Sequence, residues 1–350
     1  MNTADSPVAS IITVNTNEKH RLQVCLPTVF ASRGDFEVII ADNNSHDGSR
    51  EFLATDFPQV RVLANPTNLG FAAGNNRGSR LARGRILVFL NPDTRVAPAW
   101  LEQLLAPFAD PRVGLTTSKL LLMSRPDCIN TCGNDVHISG LTLCRGMNRP
   151  RSDYSEGGEI SAVSGAAFAI RRELFETLGG FDEDYFIYME ETDLALRARL
   201  NGWTCHYAPG SEIEHDYKLR FGPNKVLYQE RNRYMTLLKL YRWPTLLLLL
   251  PVLFLAELVT WGFVILKDRK SFATKWRAYW DVITNWKVIL KKRRETQRLR
   301  RVRDCELLRT TIFRLDFGQV DAGGIGKLAR GIFDPCFWVL RWLILAIVRW

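Results

Sequence analysis

Residues 85–95 read RILVFLNPDTR, and the fold follows from how this stretch is read. Five apolar residues, 86–90, run without a break and stop at Asn91-Pro92-Asp93, the pattern of a strand buried on both faces of a parallel sheet. In open α/β sheets ligands bind beyond the carboxyl ends of the strands, so the run delivers Asp93 to that crevice, with Pro92 stiffening the backbone before it. A fixed carboxylate there suits a hard cation. A purely structural reading is equally simple: Asp93 and Thr94 cap a helix beginning near Pro98 and Trp100.

Upstream, 9–14 is a short strand opening onto Asn15-Thr16-Asn17, 21–30 a helix, and 36–41 (FEVIIA) a second buried strand. That strand stops at 42–49, DNNSHDGS, where short polar side chains and Gly48 form a loop able to hydrogen-bond a base and ribose, and Ser49 is placed to cap the next helix. A third strand, 60–64, precedes NPTNLG, and Gly70, Gly74 and Gly78 then recur every four residues through a helix. Such a face lets backbone approach the sheet or a ligand closely. It is not the Gly-x-Gly-x-x-Gly turn of a dinucleotide site. Strands alternating with helices predict a mostly parallel sheet flanked by helices.

Downstream, 98–109 reads as a helix, 113–123 as a strand, and 125–158 as long loops over a cleft. A small-residue strand (164–170) and a short helix ended by Gly179-Gly180 lead into FDEDYFIYMEETDLALR, 181–197. Glu190, Glu191 and Asp193 open a helix where acids favour its dipole, and Asp193 with Arg197 is an i,i+4 pair. Phe181, Tyr185, Phe186 and Tyr188 place aromatic surface beside these acids, which suits stacking on a sugar ring with a general base at hand. His215 follows Glu212 and Glu214 in a polar loop.

The segments DNNSHDGS, NPTNLGFAAGNN, LVFLNPDT and SGAAFAIRRELFETLGGFDEDYFIYMEETDLALRARLNGW, in this order, resemble bacterial family 2 inverting glycosyltransferases of the GT-A fold, rhamnosyltransferase-like members especially. The resemblance covers roughly residues 9–240 and implies a nucleotide-binding α/β domain. It implies donor contacts at Asn15, Asp42, Asn44, Asp47, Asn68, Gly70 and Asn75, with Asp42 on the base. Asp93 becomes the metal-binding acid of a DxD-type motif whose first acid is Asn91 here, and His215 a metal or diphosphate contact. Glu191 stands where a catalytic Asp is usual, leaving the base among Glu191, Glu190 and Asp193. The implied cofactor is Mg²⁺ or Mn²⁺, the donor a dTDP- or UDP-sugar, and the acceptor lipid-linked or polysaccharide. A sugar nucleotidyltransferase would want a Gly-rich basic phosphate loop after the first strand, which 15–20 is not; a non-catalytic sugar-binding module would keep the aromatics without needing a metal.

The charge is uneven. Residues 267–303 hold 14 Lys/Arg against 3 acids, a balance of +11 in a chain of formal charge +10, and eight of ten tryptophans lie beyond 240. The division expected is a catalytic domain, 1–240, and a basic, Trp-rich membrane-associated helical region, 241–350. The apolar stretch 243–266 is long enough to span a bilayer, but spanning would put the basic segment opposite a cytoplasmic catalytic domain. A hairpin bent at Pro251 or an in-plane helix is therefore expected, with 337–350 interfacial and a stripe from Phe272 to Leu290 on anionic lipid. Lys275, Arg277, Lys287 and Lys291 lie off that stripe. No nucleic-acid module accompanies the charge. An odd number of cysteines without Cys-x-x-Cys points to a reducing compartment, and Cys128, Cys132, His137 and Cys144 fit no familiar zinc spacing. Residues 1–10 lack the basic and apolar regions of an export signal. The expected location is the cytoplasmic face of the bacterial inner membrane, peripheral or monotopic.

Overall fold

The computed structural model describes residues 6–218, 221–316 and 324–350; residues 1–5, part of the stretch read for an export signal, lie outside the described residues. In chain order the elements are β1 (Ala9–Asn15), α1 (Lys19–Phe30), β2 (Phe36–Asp42), α2 (Ser49–Asp56), β3 (Arg61–Ala64), α3 (Gly70–Ser79), β4 (Ile86–Leu90), β5 (Thr94–Val96) and α4 (Trp100–Leu105). Then follow β6 (Val113–Leu122), β7 (Arg125–Thr131), β8 (Asn134–Val136), β9 (Thr142–Cys144), β10 (Gly158–Glu159), β11 (Ala167–Arg171), α5 (Arg172–Thr177), α6 (Glu190–Leu200) and β12 (Thr204–His215). The remainder is helical: α7 (Pro223–Leu240), α8 (Trp243–Lys267), α9 (Phe272–Thr284), α10 (Trp286–Arg298), α11 (Asp304–Arg309) and α12 (Gly324–Ile347).

Two compact units result, and their division does not follow position 240. The first comprises residues 6–133, 145–198 and 203–218; the second takes Asn134–Cys144, Arg199–Gly202 and the described residues after 220, α7 included.

The first unit is built on one sheet in the order β10-β12-β6-β11-β4-β1-β2-β3, with β5 on β12 and β7 on β6. β4 is buried along its whole length, as its unbroken apolar run requires, and lies parallel to β1. β1, β2 and β3 are parallel neighbours, whereas β11 runs antiparallel to both β4 and β6. Leu22, Leu26, Trp100 and Leu104 cover one face against Ile11, Ile40 and Val88. On the other, Phe89 meets Phe168, Phe175 and Phe181 at ring separations of 4.9–5.3 Å. Burial of each such side chain contributes about 1.5–3 kcal/mol. The glycine face of α3 serves the sheet: a Cβ on Gly74 or Gly78 would come within 2.9 Å of Val14 or 2.8 Å of Ile12.

The segment 125–158 is not a set of loops. β7 pairs with β6, and Ile129, Asn130, Thr131 and Cys132 are buried. Its strands are short and their buried positions partly polar, so no apolar alternation marked them.

In the second unit α8 is one uninterrupted helix, which rules out a hairpin at Pro251. Pro244 sits in the first turn, where its missing N–H costs nothing. Glu257 is paired with Arg233 of α7 and Lys275 of α9, and accepts hydrogen bonds from Tyr234 and Tyr279. The stripe read from Phe272 to Leu290 as one helix breaks at Asn285 into α9 and α10. Lys275, expected beside the stripe, is fully buried on the inner side of α9.

Candidate active site

β1 and β2 stop side by side at the paired residues Asn15 and Asp42, and β4 ends three residues before Asp93. All three strands are parallel, so these residues gather at one edge.

Asp93 does not cap a helix. α4 begins at Trp100, its capping residue Ala99 makes no side-chain bond, and Thr94 lies in β5 with its hydroxyl donating to the Asn91 carbonyl. Instead β5 meets the end of β12, pairing Thr94 with His215, and the Asp93 carbonyl accepts the Asp216 N–H at 2.9 Å. His215 Nε2 thereby comes to 3.4 Å from Asp93 Oδ1. Oδ1 is buried and receives no donor. Asn130 Oδ1 sits 2.8 Å from His215 Nδ1; with that oxygen accepting, a neutral imidazole carries its proton on Nδ1 and turns the Nε2 lone pair toward Asp93. Two lone pairs facing each other call for a proton or a cation between them. Atoms 3.4 Å apart can share one cation whose ligand bonds are about 2.0–2.1 Å. The pair fits a divalent metal on this ground. Among the described residues no group of three or more His, Cys, Asp or Glu is arranged to hold a metal, so the other ligands would be water and substrate oxygens.

Arg21, on α1, stands 3.7 Å from Asp93 Oδ2 and is shared with Glu18 and Asp216. Burial pushes the Asp93 carboxyl up, but His215 and Arg21 outweigh it and hold the group below the usual carboxylate range. Neither Arg21 nor Asn130 stood out in the sequence, since their partners are distant along the chain. His137 of the cysteine cluster is occupied: its ring nitrogens meet Ser139 and the Phe313 carbonyl, and burial pushes the imidazole down to about 3.

Asp42 is fully buried and accepts from Asn15 Nδ2 at 2.8 Å, the Ser45 N–H at 3.1 Å and Arg50 Nε at 2.6 Å. Burial raises its pKa, and these donors lower it by more. Its carboxylate thus holds the loop together. Asp47, not Ser49, supplies the acceptor at the start of α2, taking the Ser49 N–H at 3.1 Å and the Lys19 N–H at 2.8 Å. Asn44 is half-buried in the left-handed region, at φ 59°. Asn68 Oδ1 accepts the Gly70 N–H at 2.9 Å. Asn75 donates to the Phe71 carbonyl while its buried Oδ1 has no donor. Gly70 has φ +77°, and a Cβ there would lie 2.5 Å from the Phe186 carbonyl.

That contact ties the loop at Asn68 and Gly70 to the segment before α6, where Phe186, Tyr188 and Met189 all have positive φ. Such backbone costs roughly 1–3 kcal/mol per residue and persists only where its surroundings impose it. The aromatics expected as a sugar platform divide. Phe181 and Tyr185 are core, because the Phe89 cluster and Asp193 claim them; Phe186 and Tyr188 are only part-buried.

The three acids have different fates. Asp193 is fully buried, bonded to Arg197 Nε at 2.7 Å and to the Tyr185 hydroxyl at 3.1 Å, and breaking such a pair costs about 3–5 kcal/mol. Glu190 is buried with Oε2 lacking a donor, and burial together with Glu191 holds its carboxyl well above the usual range. Glu191 is partly exposed. Its side chain passes Gly165, where a Cβ would be 3.3 Å from Glu191 Cδ, and the Ala166 carbonyl next door accepts the Asn91 N–H at 2.9 Å. Glu191 is therefore two residues and one hydrogen bond from the Asp93 turn.

Residues 10–179 match the family model described as glycosyl transferase family 2. That stretch is similar to family 2 glycosyltransferases. In an alignment of 218 positions that covers 53% of this chain, it is 29% identical to N-acetylglucosaminyl-diphospho-decaprenol L-rhamnosyltransferase of Mycobacterium tuberculosis, covering 68% of that enzyme. It is 28% identical over 211 residues to the O-antigen biosynthesis protein RfbC of Myxococcus xanthus, covering 56% of this chain and 16% of that one. The mannosyltransferase PcManGT of Pyrobaculum calidifontis, solved with GDP-Man and Mn²⁺, superposes with a TM-score of 0.53 at 15% identity, over 99% of this chain and 89% of its own. The likeness to the solved structure shows the GT-A fold, and the family model and the relatives agree with the glycosyltransferase activity that the resemblance implied.

Proposed function

We propose that this glycosyltransferase moves a hexosyl group, rhamnose by its likeness to the mycobacterial enzyme, from a dTDP- or UDP-sugar to a lipid-linked or polysaccharide acceptor, in one displacement that inverts the anomeric centre. The observation that carries this reading is the gathering of the Asp93–His215 pair and Glu191 at one sheet edge, linked through Gly165, Ala166 and Asn91.

Asp42, Asn15 and the 44–47 loop hold the nucleoside, with Asn68, Gly70 and Asn75 lining the donor beside them. Asp93 and His215 hold Mg²⁺ or Mn²⁺, which when bound neutralises charge on the departing diphosphate. Asp93 is the sole carboxylate of the pair, so Arg21 supplies further positive charge beside the phosphates. Glu191, partly exposed, takes the proton from the acceptor hydroxyl as it attacks, while burial and the neighbouring Glu191 push the Glu190 carboxyl well above the usual range.

Incubating the enzyme with a panel of dTDP-, UDP- and GDP-sugars, with Mn²⁺ or with EDTA, tests this. One donor should release its nucleoside diphosphate with Mn²⁺ only. Equal turnover in EDTA would remove the metal from the reading, and formation of a nucleotide sugar from a nucleoside triphosphate and a sugar phosphate would favour a nucleotidyltransferase instead.

A further inference from the structure

The second unit turns an unbroken apolar side of α8 outward. Leu247, Leu250, Phe254, Leu258 and Ile265 recur at helical spacing and are exposed, Leu247 at 67%. The opposite side, Leu249, Val252, Ala256 and Val264, is buried. Glu257, near the middle of the helix, is bonded to Arg233 and Tyr234 of α7 and to Lys275 and Tyr279 of α9. α7 and α9 therefore accompany the centre of α8, and both carry charge: Arg231 on α7, and Arg277, exposed, on α9. If α8 crossed a bilayer, these helices would be drawn into hydrocarbon with it, which charged side chains oppose. Lying in the plane of the membrane, α8 buries its outer stripe and leaves the ion pairs on its inner side undisturbed.

α10 supplies the complement. Lys287, Lys291, Arg294 and Arg298 are spaced i, i+4, i+7 and i+11 and all exposed, while Ile289, Arg293 and Thr296 face inward. α9, immediately before it, exposes Phe272, Trp276, Trp280 and Ile283 along one side. Interfacial tryptophan and an adjoining row of cations together match an anionic headgroup layer over hydrocarbon, which neither duplex nucleic acid nor a neutral protein face offers.

We propose that the second unit is a monotopic anchor for an anionic bilayer, in which α8 and the aromatic side of α9 enter the interface without crossing it and the α10 row grips acidic headgroups. The proposal stands apart from the sugar-transfer reading, because vesicle binding needs no donor.

Flotation of the full chain tests it, with phosphatidylcholine vesicles and with vesicles in which about 30% of the lipid is anionic phosphatidylglycerol. The protein should bind the anionic vesicles at least about tenfold more tightly, a preference that salt and the K287E/K291E/R294E/R298E variant both abolish. L250D/F254D should weaken binding to both vesicle types, with its thermal unfolding checked against the parent. Wild-type binding that ignores lipid charge, or apolar variants that float like the parent, would overturn the anchor. For the in-plane placement, a membrane-impermeant maleimide added outside vesicle-bound D268C should label it above the parent level; label appearing only after detergent would mean that α8 crosses.

Discussion

Asp93→Ala is expected to lower donor turnover by about 10³-fold or more, since a bound cation supplies several kcal/mol of charge stabilisation and each 1.36 kcal/mol is tenfold in rate. Mn²⁺ binding, followed by electron paramagnetic resonance in the absence of donor, should weaken in parallel. The fold should survive, because the side chain lies at a strand end with Oδ1 unbonded, while the β5–β12 pairing that places it is made by backbone. With the carboxylate gone, Arg21 keeps Glu18 and Asp216 as partners. Unchanged turnover with unchanged Mn²⁺ dependence in this variant would remove Asp93 from the metal site.

Glu191→Gln should cut transfer by about 10²–10⁴-fold while donor affinity stays near normal, because the amide keeps the shape and loses the proton acceptor. The variants at its neighbours should behave differently. Asp193→Asn breaks the buried pair with Arg197, so its effect should appear as a lowered melting temperature. Glu190→Gln replaces a buried carboxyl that burial and Glu191 already push well above the usual range, so it should act mildly on the rate. If Glu190→Gln instead loses transfer with donor binding intact, the base is Glu190.

Much of this was legible because the informative residues sit where chain direction alone places them. An apolar run such as 86–90 can be little other than a doubly buried strand, and whatever follows it lies at the sheet edge. Asp42 and Asp93 were found that way. The acids after Gly180 were found by motif, but their separate roles were not: only packing shows that Tyr185 and Arg197 close off Asp193. The partners of the Asp93–His215 pair could not be read, since Arg21 and Asn130 reach it through tertiary contacts that leave no periodic trace. The glycines of α3 left sheet and ligand equally open until Val14 and Ile12 filled the space beside them. The stripe after Phe272 was real in its spacing yet broken in its backbone, because the same apolar period continues across Asn285 from one helix into the next.

The proposed reaction is a single displacement at the anomeric carbon, with Glu191 drawing the proton from the attacking hydroxyl. Proton NMR of the sugar first released when water replaces the acceptor, recorded before the anomers equilibrate, tests it most directly. The anomer opposite to that of the donor is expected, with its release slowed in Glu191→Gln; an initial product that retains the donor configuration would contradict a single displacement.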